Sequence, residues 1–339
     1  MTGAIRRAAA QLGDTEEPNR ARGGVERRGW YEVFYVTAAL GGGRAAWLRW
    51  TLSVPRQGPA STALWACAFD RQRPRWFAAR NQLDGTAWRP LVDGGVALGD
   101  ARVSGGGCSG SAVDEGGRTM RWELEWQPLA TPFAFFPAAM ERLAGGATYP
   151  IVSVPIAHAE GHVDVDGERM ECQATPVQQS HLFGGRHAHR WGWVHALGFD
   201  TDPDGYLVLV WARAARLGGR TPPVSSIALR VGGRELRAAG FRGLRSVLWG
   251  DGGAGLVHFS ALIDGVDIEG ELEVPTDLLT GVTYHDPDGA EVFCANTEVA
   301  DLRLRLRERD GAVQTVSCRA ACGFERGSRT RLQGVWQPL

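Results

Sequence analysis

The sequence predicts a nearly all-β protein made of two successive antiparallel β-barrel or β-sandwich halves, and three observations predict it. Apolar residues alternate with period two in most apolar segments, turn signals recur at short intervals, and almost no helical period intervenes. Strands in that order pair antiparallel, because a parallel sheet needs crossover helices. At 339 residues the chain is long enough for two cores.

Taken in order, residues 1–28 are rich in Ala, Arg and Gly and lack an apolar h-region. They read as a flexible N-terminal tail with a short helix over Ala4–Leu12, not as a secretory signal. An N-terminal β domain is expected over 29–145. Trp30–Leu40, Ala45–Val54 and Thr62–Phe69 are its first strands, separated by Gly41-Gly42-Gly43 and Pro55–Pro59. In Thr119–Gln127, Met120, Trp122, Leu124 and Trp126 face one way while Arg121, Glu123, Glu125 and Gln127 face the other, as in a sheet with one wet face. A helix over Phe135–Ala144 closes this half.

A C-terminal β-barrel domain is expected over 146–339. Ile151–Ala159 and Gly161–Val165 lead through the turn Asp166-Gly167 to Glu168–Ala174. Next come His189–Asp200, Gly205–Arg213, Ile227–Val231, Glu235–Ala238, Leu256–Ile263, Val266–Val274 and a closing group from Glu291 onward. Asp204-Gly205 and Asp288-Gly289 read as hairpin turns, and Thr276–Leu279 as a short helical piece. Arg303, Arg305 and Arg307 form a solvated row opposite Leu302, Leu304 and Leu306. Two echoes point toward internal duplication: Trp-Gln-Pro-Leu at 126–129 and 336–339, and the Gly-Trp strands at Gly29-Trp30 and Gly192-Trp193.

A net charge of −1 leaves no basic excess to neutralise phosphates, so a nucleic-acid partner has no electrostatic support. No run approaches the roughly 18 apolar residues of a membrane helix. The six cysteines (Cys67, Cys108, Cys172, Cys294, Cys318 and Cys322) are scattered, and no second pair completes a zinc pattern around the last two. Free thiols in a reducing, cytoplasmic setting follow. Thirteen Trp against five Tyr suit thick cores or apolar cavities. Gly105-Gly106-Gly107 and the glycines of 252–255 lack the βα context of a phosphate loop, and Ser109 lacks that of a nucleophile elbow.

Chemistry concentrates in residues 180–200. On a strand through this block, His189, Trp191, Trp193, His195, Leu197 and Phe199 share one face, opposite mostly small residues. Imidazoles among indoles suit a cavity wall where an apolar ligand meets a proton donor. Hydrogen-bonded core histidines are the structural alternative. Metal binding by His187, His189 and His195 is a third reading, weakened because His189 and His195 would lie roughly 20 Å apart along a strand. Glu32 shares a face with Trp30 and Phe34, as a buried carboxylate or an edge residue reaching water. Asn296 either hydrogen-bonds a ligand oxygen or forms a turn.

Several segments occur in a telling order: Glu32-Val33-Phe34-Tyr35, Ala46-Trp47-Leu48-Arg49-Trp50, Leu64-Trp65-Ala66-Cys67, the block from His181 through His187, Trp191, Trp193 and His195 to Phe199, and Asn296 with Val299-Ala300-Asp301-Leu302. Together, over roughly residues 28–339, they resemble the tocopherol cyclase-like and carotenoid 1,2-hydratase-like (hydroxyneurosporene synthase) superfamily, especially its bacterial branch. The resemblance implies two lipocalin-like β domains, a ligand cavity and no organic cofactor. Characterised relatives protonate or hydrate an isoprenoid double bond, close a ring onto one, or steer a pericyclic cyclisation of a polyene. Hydratase-type members carry an Asp-His pair where this chain has Ser180-His181, and a Trp where it has Phe183, so their acid has no counterpart here.

The expectation is therefore a cofactor-independent cyclase, hydratase or isomerase for a lipophilic isoprenoid or polyene. His181 and His195 would relay the proton with Glu32 as partner, and no metal takes part. Trp191, Trp193 and Phe199 would wall the cavity together with His187 and His189, while Arg186 and Asn296 orient a polar end. A non-catalytic carrier of lipophilic ligands is the rival, and a relative with a collapsed cavity is a third reading.

Overall fold

The computed structural model describes residues 16–137, 141, 147–214, 222–239, 247–253 and 255–339. They form two curled antiparallel sheets, each closing toward a half-barrel. The first sheet opens with β1 (Trp30–Gly41), β2 (Arg44–Val54), β3 (Ser61–Asp70) and β4 (Phe77–Asp84). Short strands follow: β5 (Trp88–Pro90), β6 (Val96–Leu98), β7 (Ala101–Ser104) and β8 (Gly107–Val113). It ends with β9 (Thr119–Pro128), β10 (Phe133–Ala134), β11 (Thr148–Val165) and β12 (Glu168–Gly184). Their order is β4-β3-β2-β1-β12-β11-β9-β8-β7-β6-β5, with β10 on β11.

The second sheet begins with β13 (Arg190–Phe199), β14 (Asp202–Arg213), β15 (Val224–Val231), β16 (Arg234–Ala238) and β17 (Val247–Gly253). It continues with β18 (Leu256–Ile263), β19 (Val266–Glu273), β20 (Thr280–His285), β21 (Glu291–Arg307) and β22 (Val313–Ser328). The order β16-β15-β14-β13-β22-β21-β19-β18-β17, with β20 on β21, repeats the first sheet apart from its extra edge pair β5–β6. In each half the last strand returns to hydrogen-bond the first. The Gly-Trp echo falls on or beside equivalent strands, β1 and β13. The Trp-Gln-Pro-Leu echo does not, since Trp126 lies in β9 while Trp336 lies beyond β22, bridged to Thr280.

Because β12 must come back to β1, the change of sheet falls between Gly184 and Arg190. The expected division at residue 145 cuts through the first sheet. Residues 138–140 and 142–146, most of the expected helix, lie outside the described residues, as does Ala4–Leu12. Residues 16–28, expected as tail, instead lie across the first barrel. At the end of a short helix, α1 (Glu16–Asn19), Asn19 is fully buried and accepts from Gln179 Nε2 at 2.9 Å. The hairpin expected at Asp204-Gly205 turns earlier, between Phe199 and Asp202, because Gly205 is needed inside β14, where the Phe199 ring leaves no room for a Cβ. Thr276–Leu278 is a 3₁₀ turn. The Arg row of β21 faces Asp267, Glu269 and Glu271 of β19.

Three cores result. Phe34, Leu48, Trp50, Met120 and Trp122 lie in the first barrel. Val194, Leu207, Ile227, Leu304 and Phe324 fill the second. A third core lies between the sheets, where Tyr31, Val33, Trp47 and Trp65 meet Trp191, Trp193, Val208, Val292 and Val299. Period-two alternation explains this division, since β1 sends even residues into its own barrel and odd ones toward the other half. Hydrogen bonds tie the halves together too, among them Arg71 Nε to the Val299 carbonyl at 2.9 Å and Arg230 Nη1 to that of Leu129 at 2.7 Å. No described helix is long and apolar enough to cross a membrane.

Candidate active site between the two barrels

A cavity of about 370 Å³ opens in the interface between the sheets. Val33, Leu182, Pro150, Trp191, Trp193, Val210 and Ala212 make its apolar walls. Tyr31, Tyr35, Arg49, Arg186, His187, Tyr284 and Glu325 bring polar groups to it. Trp191 and Trp193 arrive from β13, whose odd residues face away from the second barrel's own core. The expected aromatic face thus lines a space between barrels, not one inside a barrel. Burial pushes the Tyr35 and Tyr284 phenols well up, so both remain protonated.

Glu325 is the carboxylate of this cavity. On β22 it pairs with Trp193 on one side and Asn296 on the other. The indole N–H of Trp191 donates to its Oε1 at 2.5 Å. Burial raises its carboxyl above the ordinary range, opposed by the Arg49 charge and the Trp191 hydrogen bond. The sequence Gly323-Phe324-Glu325-Arg326-Gly327 makes room for this arrangement. A Cβ at Gly327 would collide with the Trp191 ring, and one at Gly323 with the His195 ring.

His187 is the second chemical group. Its Nδ1 lies 2.7 Å from Asp286 Oδ1, which also accepts the His187 backbone N–H at 2.8 Å. Arg329 contacts the other Asp286 oxygen at 2.6 Å and donates to the His187 carbonyl at 2.8 Å. Burial lowers the imidazole pKa below its ordinary value, although Asp286 pulls the other way. Burial also works against charge on Asp286, but the His187 hydrogen bonds and Arg329 outweigh it and hold its carboxyl low. A neutral His187 thus keeps its proton on Nδ1 and its lone pair on Nε2. The ring is clamped between Tyr31 and Tyr284, with centroids 4.3 and 5.3 Å away.

The other expected residues separate. Glu32 and His181 are fully buried on the inner face of the first barrel, 2.8 Å apart, with His181 stacked on Phe34. His181 Nδ1 donates to the Pro18 carbonyl at 2.8 Å, and Glu32 accepts the backbone N–H groups of Arg22 and Gly23. This pair pins the N-terminal segment, and neither residue lines the cavity. His195 lies deeper in the interface, 2.9 Å from Glu298 and 3.3 Å from Thr37 Oγ1. Asn296 is buried, its Oδ1 without a partner among the described residues. Phe199 packs in the second barrel's core, since Gly198, at φ +80°, breaks the alternation before it. His189 is not among the cavity walls, whereas Arg186 is, 3.9 Å from Asp286 at the nearest. Among the described residues no three His, Cys, Asp or Glu side chains converge as a metal site requires. All six cysteines are free and buried.

Sequence reasoning missed Glu325, Asp286, Arg329 and Arg49. Asp286 sits in His285-Asp286-Pro287-Asp288-Gly289, which reads as turn chemistry. For Glu325 a signal existed: glycines two residues to either side, on the face opposite Cys322 and Phe324.

The antiparallel two-barrel fold thus places an apolar, acid-bearing cavity at the interface between its sheets. The profile of the tocopherol cyclase-like family matches residues 58–328, and the chain belongs to that family. It is 30% identical over 201 residues to the uncharacterized proteins MT0513 and Rv0493c from two strains of Mycobacterium tuberculosis. The match spans 58% of this chain and 58% of theirs, so a large part of those relatives lies outside it. Among solved structures, CghA with Sch210972 superposes with a TM-score of 0.55 at 12% identity, over 88% of both chains. Kievitone hydratase from Nectria haematococca gives 0.49 at 10% identity, over 94% of this chain and 95% of that one.

Proposed function

We propose that this protein is a cofactor-independent cyclase, hydratase or isomerase whose substrate, an apolar isoprenoid-like or polyene molecule, occupies the inter-barrel cavity. The observation that carries the reading is a buried carboxyl and a His–Asp pair in the walls of one apolar space. Glu325, whose carboxyl pKa is raised by burial, donates a proton to a substrate double bond or carbonyl. Trp191 and Trp193 face the positive charge that develops, as indole π faces favour a cation. His187, oriented by Asp286, accepts a proton through Nε2, either from water attacking the cation or from a neighbouring carbon. This assigns the expected histidine-mediated transfer to His187 rather than to His181 or His195. Membership of the tocopherol cyclase-like family supports the reaction class, and the CghA fold, solved with a small molecule, supports a ligand role for this architecture.

The test is incubation of the purified chain with a panel of isoprenoid and polyene compounds, with products read by mass spectrometry. The expected product has the substrate's mass or is heavier by one water. Glu325→Gln keeps the acceptor for Trp191 and should lower kcat by about 10²–10⁴-fold, the usual worth of a positioned acid, with ligand affinity retained. Tight binding with the ligand recovered unchanged would instead make the protein a carrier. Full activity in Glu325→Gln would remove the acid from its role.

A further inference from the structure

Beside the cavity lies a second chamber of about 400 Å³, and the two share Tyr31, Arg49, His187 and Tyr284 as a common wall. Their linings differ in kind. The second is floored by Thr51, Ser53, Thr62 and Gln82 and carries Arg49, Arg80 and His285, with no Asp or Glu among its described lining residues. Strand pairing explains how two arginines come to line one chamber. Arg49 on β2 pairs with Trp65 on β3, and Trp65 pairs with Arg80 on β4, so the three form one row on the face toward the other half. The Arg80 guanidinium lies 4.5 Å from the Trp65 ring centroid.

Arg49 is the unusual member. It is 6% exposed, yet no carboxylate among the described residues lies within ion-pair distance of it. Its Nε donates to Thr51 Oγ1 at 3.2 Å, and its guanidinium stands 4.1 Å from the Tyr284 ring centroid. Those contacts do not neutralise it. Glu325, across the shared wall, feels the Arg49 charge but lies beyond ion-pair distance of it, and burial disfavours its charged form. A buried cation left without a counter-charge is costly, and a second like charge on the same row adds repulsion. Burial, and next to it the Arg49 charge, lowers the Arg80 pKa. An oxyanion seated between the two would relieve both costs, and a planar guanidinium suits a two-oxygen head.

We propose that the ligand is an amphipathic anion, with its apolar body in the inter-barrel cavity and its carboxylate-like oxyanion head on Arg49 and Arg80 in the adjoining chamber. The proposal rests on the reading of that cavity as the ligand site. It gives the substrate a direction: the head is held on the β2–β4 side of the Tyr31–His187–Tyr284 stack, and the reactive part extends past it toward Glu325.

All-trans-retinoate and all-trans-retinol share one polyene body and differ in the head, which makes them suitable probes. Each is titrated into the full-length protein at low salt, with binding read from quenching of tryptophan fluorescence. Retinoate should bind about tenfold or more tightly than retinol, the scale of a desolvated charge pair. Arg49→Gln and Arg80→Gln should each shrink that preference, Arg80→Gln without changing retinol affinity because Arg80 lines only the second chamber, and Arg49→Lys should restore part of it. If Arg49→Gln does not fold, as judged by circular dichroism, the exposed Arg80→Gln decides. Equal affinity for the two probes, or a preference that survives both Gln variants, would overturn the anion site and leave the cavity reading standing. Binding of neither probe would sink the cavity reading itself.

Discussion

In the proposed reaction Glu325 and His187 act through opposite responses to the same burial. Desolvation penalises the charged form of each, raising the carboxyl and lowering the imidazole. The proposed active state needs Glu325 protonated and His187 neutral. The rate should therefore fall as pH rises through the raised Glu325 value, and fall again as pH drops through the lowered His187 value. A bell-shaped kcat/KM profile is expected, one limb reporting each group. A profile flat from pH 5 to 8 would contradict the assignment. Stability carries the same sign. A carboxyl that binds its proton more tightly folded than unfolded loses stability as pH climbs out of the ordinary carboxyl range. Glu325→Gln removes that loss, so at neutral pH it should melt higher, each 1 kcal/mol of relief raising the midpoint by about 2–4 °C. At pH 4 the difference should disappear. At this scale the sequence was half legible: Trp191, Trp193, His187 and Arg186 were marked by their clustering. Glu325 was not, because its partners come from β13 and β21, far away in the chain.

At the scale of strands, alternation was readable and the identity of the two faces was not. Every residue of β1 from Trp30 to Ala39 is buried, so neither face is marked as wet and only the partner strands show which points inward. Glu32 consequently read as a cavity acid, whereas its face belongs to the closed interior of the first barrel. The short strands β5 to β8 were invisible in a Gly-rich stretch with little alternation. The Glu32–His181 pair instead looks like the lock that holds residues 18–23 over that barrel. Both side chains are fully buried, and Glu32 accepts two backbone N–H groups from the strap. Removing one partner leaves the other charge uncompensated, a loss of about 3–5 kcal/mol. His181→Leu alone and Glu32→Leu alone should each destabilise on that scale in urea melts. The double variant should cost clearly less than their sum. Independent, additive losses would show that the two do not act as a pair. Proteolysis within 18–28 should become faster in each single variant, since the strap has lost its anchor.

For the molecule as a whole, the repeat of one strand order in two sheets explains why the site lies where it does. Each half returns its last strand beside its first, which puts β1 with β12 and β13 with β22 at the centre of its sheet, and those central strands face each other. Fold class and the existence of two halves were legible from period and turn spacing. The boundary was not, because closure by β12 is a long-range pairing that no local signal announces. The consequence is energetic as well as geometric. Neither half is complete alone, since Tyr31, Val33, Trp47 and Trp65 would be bared without Trp191, Trp193, Val208 and Val299. Cooperative unfolding requires such shared burial. Thermal unfolding of the full chain should therefore give one calorimetric transition, with the van't Hoff and calorimetric enthalpies in agreement. Val33→Asp, which puts a charge into the shared core, should lower that single midpoint and not split it. A ligand held between the halves should raise it as a unit, by an amount that follows RT ln(1 + [L]/Kd). Two resolved transitions, only one of them shifted by retinoate, would mean that the barrels fold independently and that the ligand belongs to one of them, not to the seam between them.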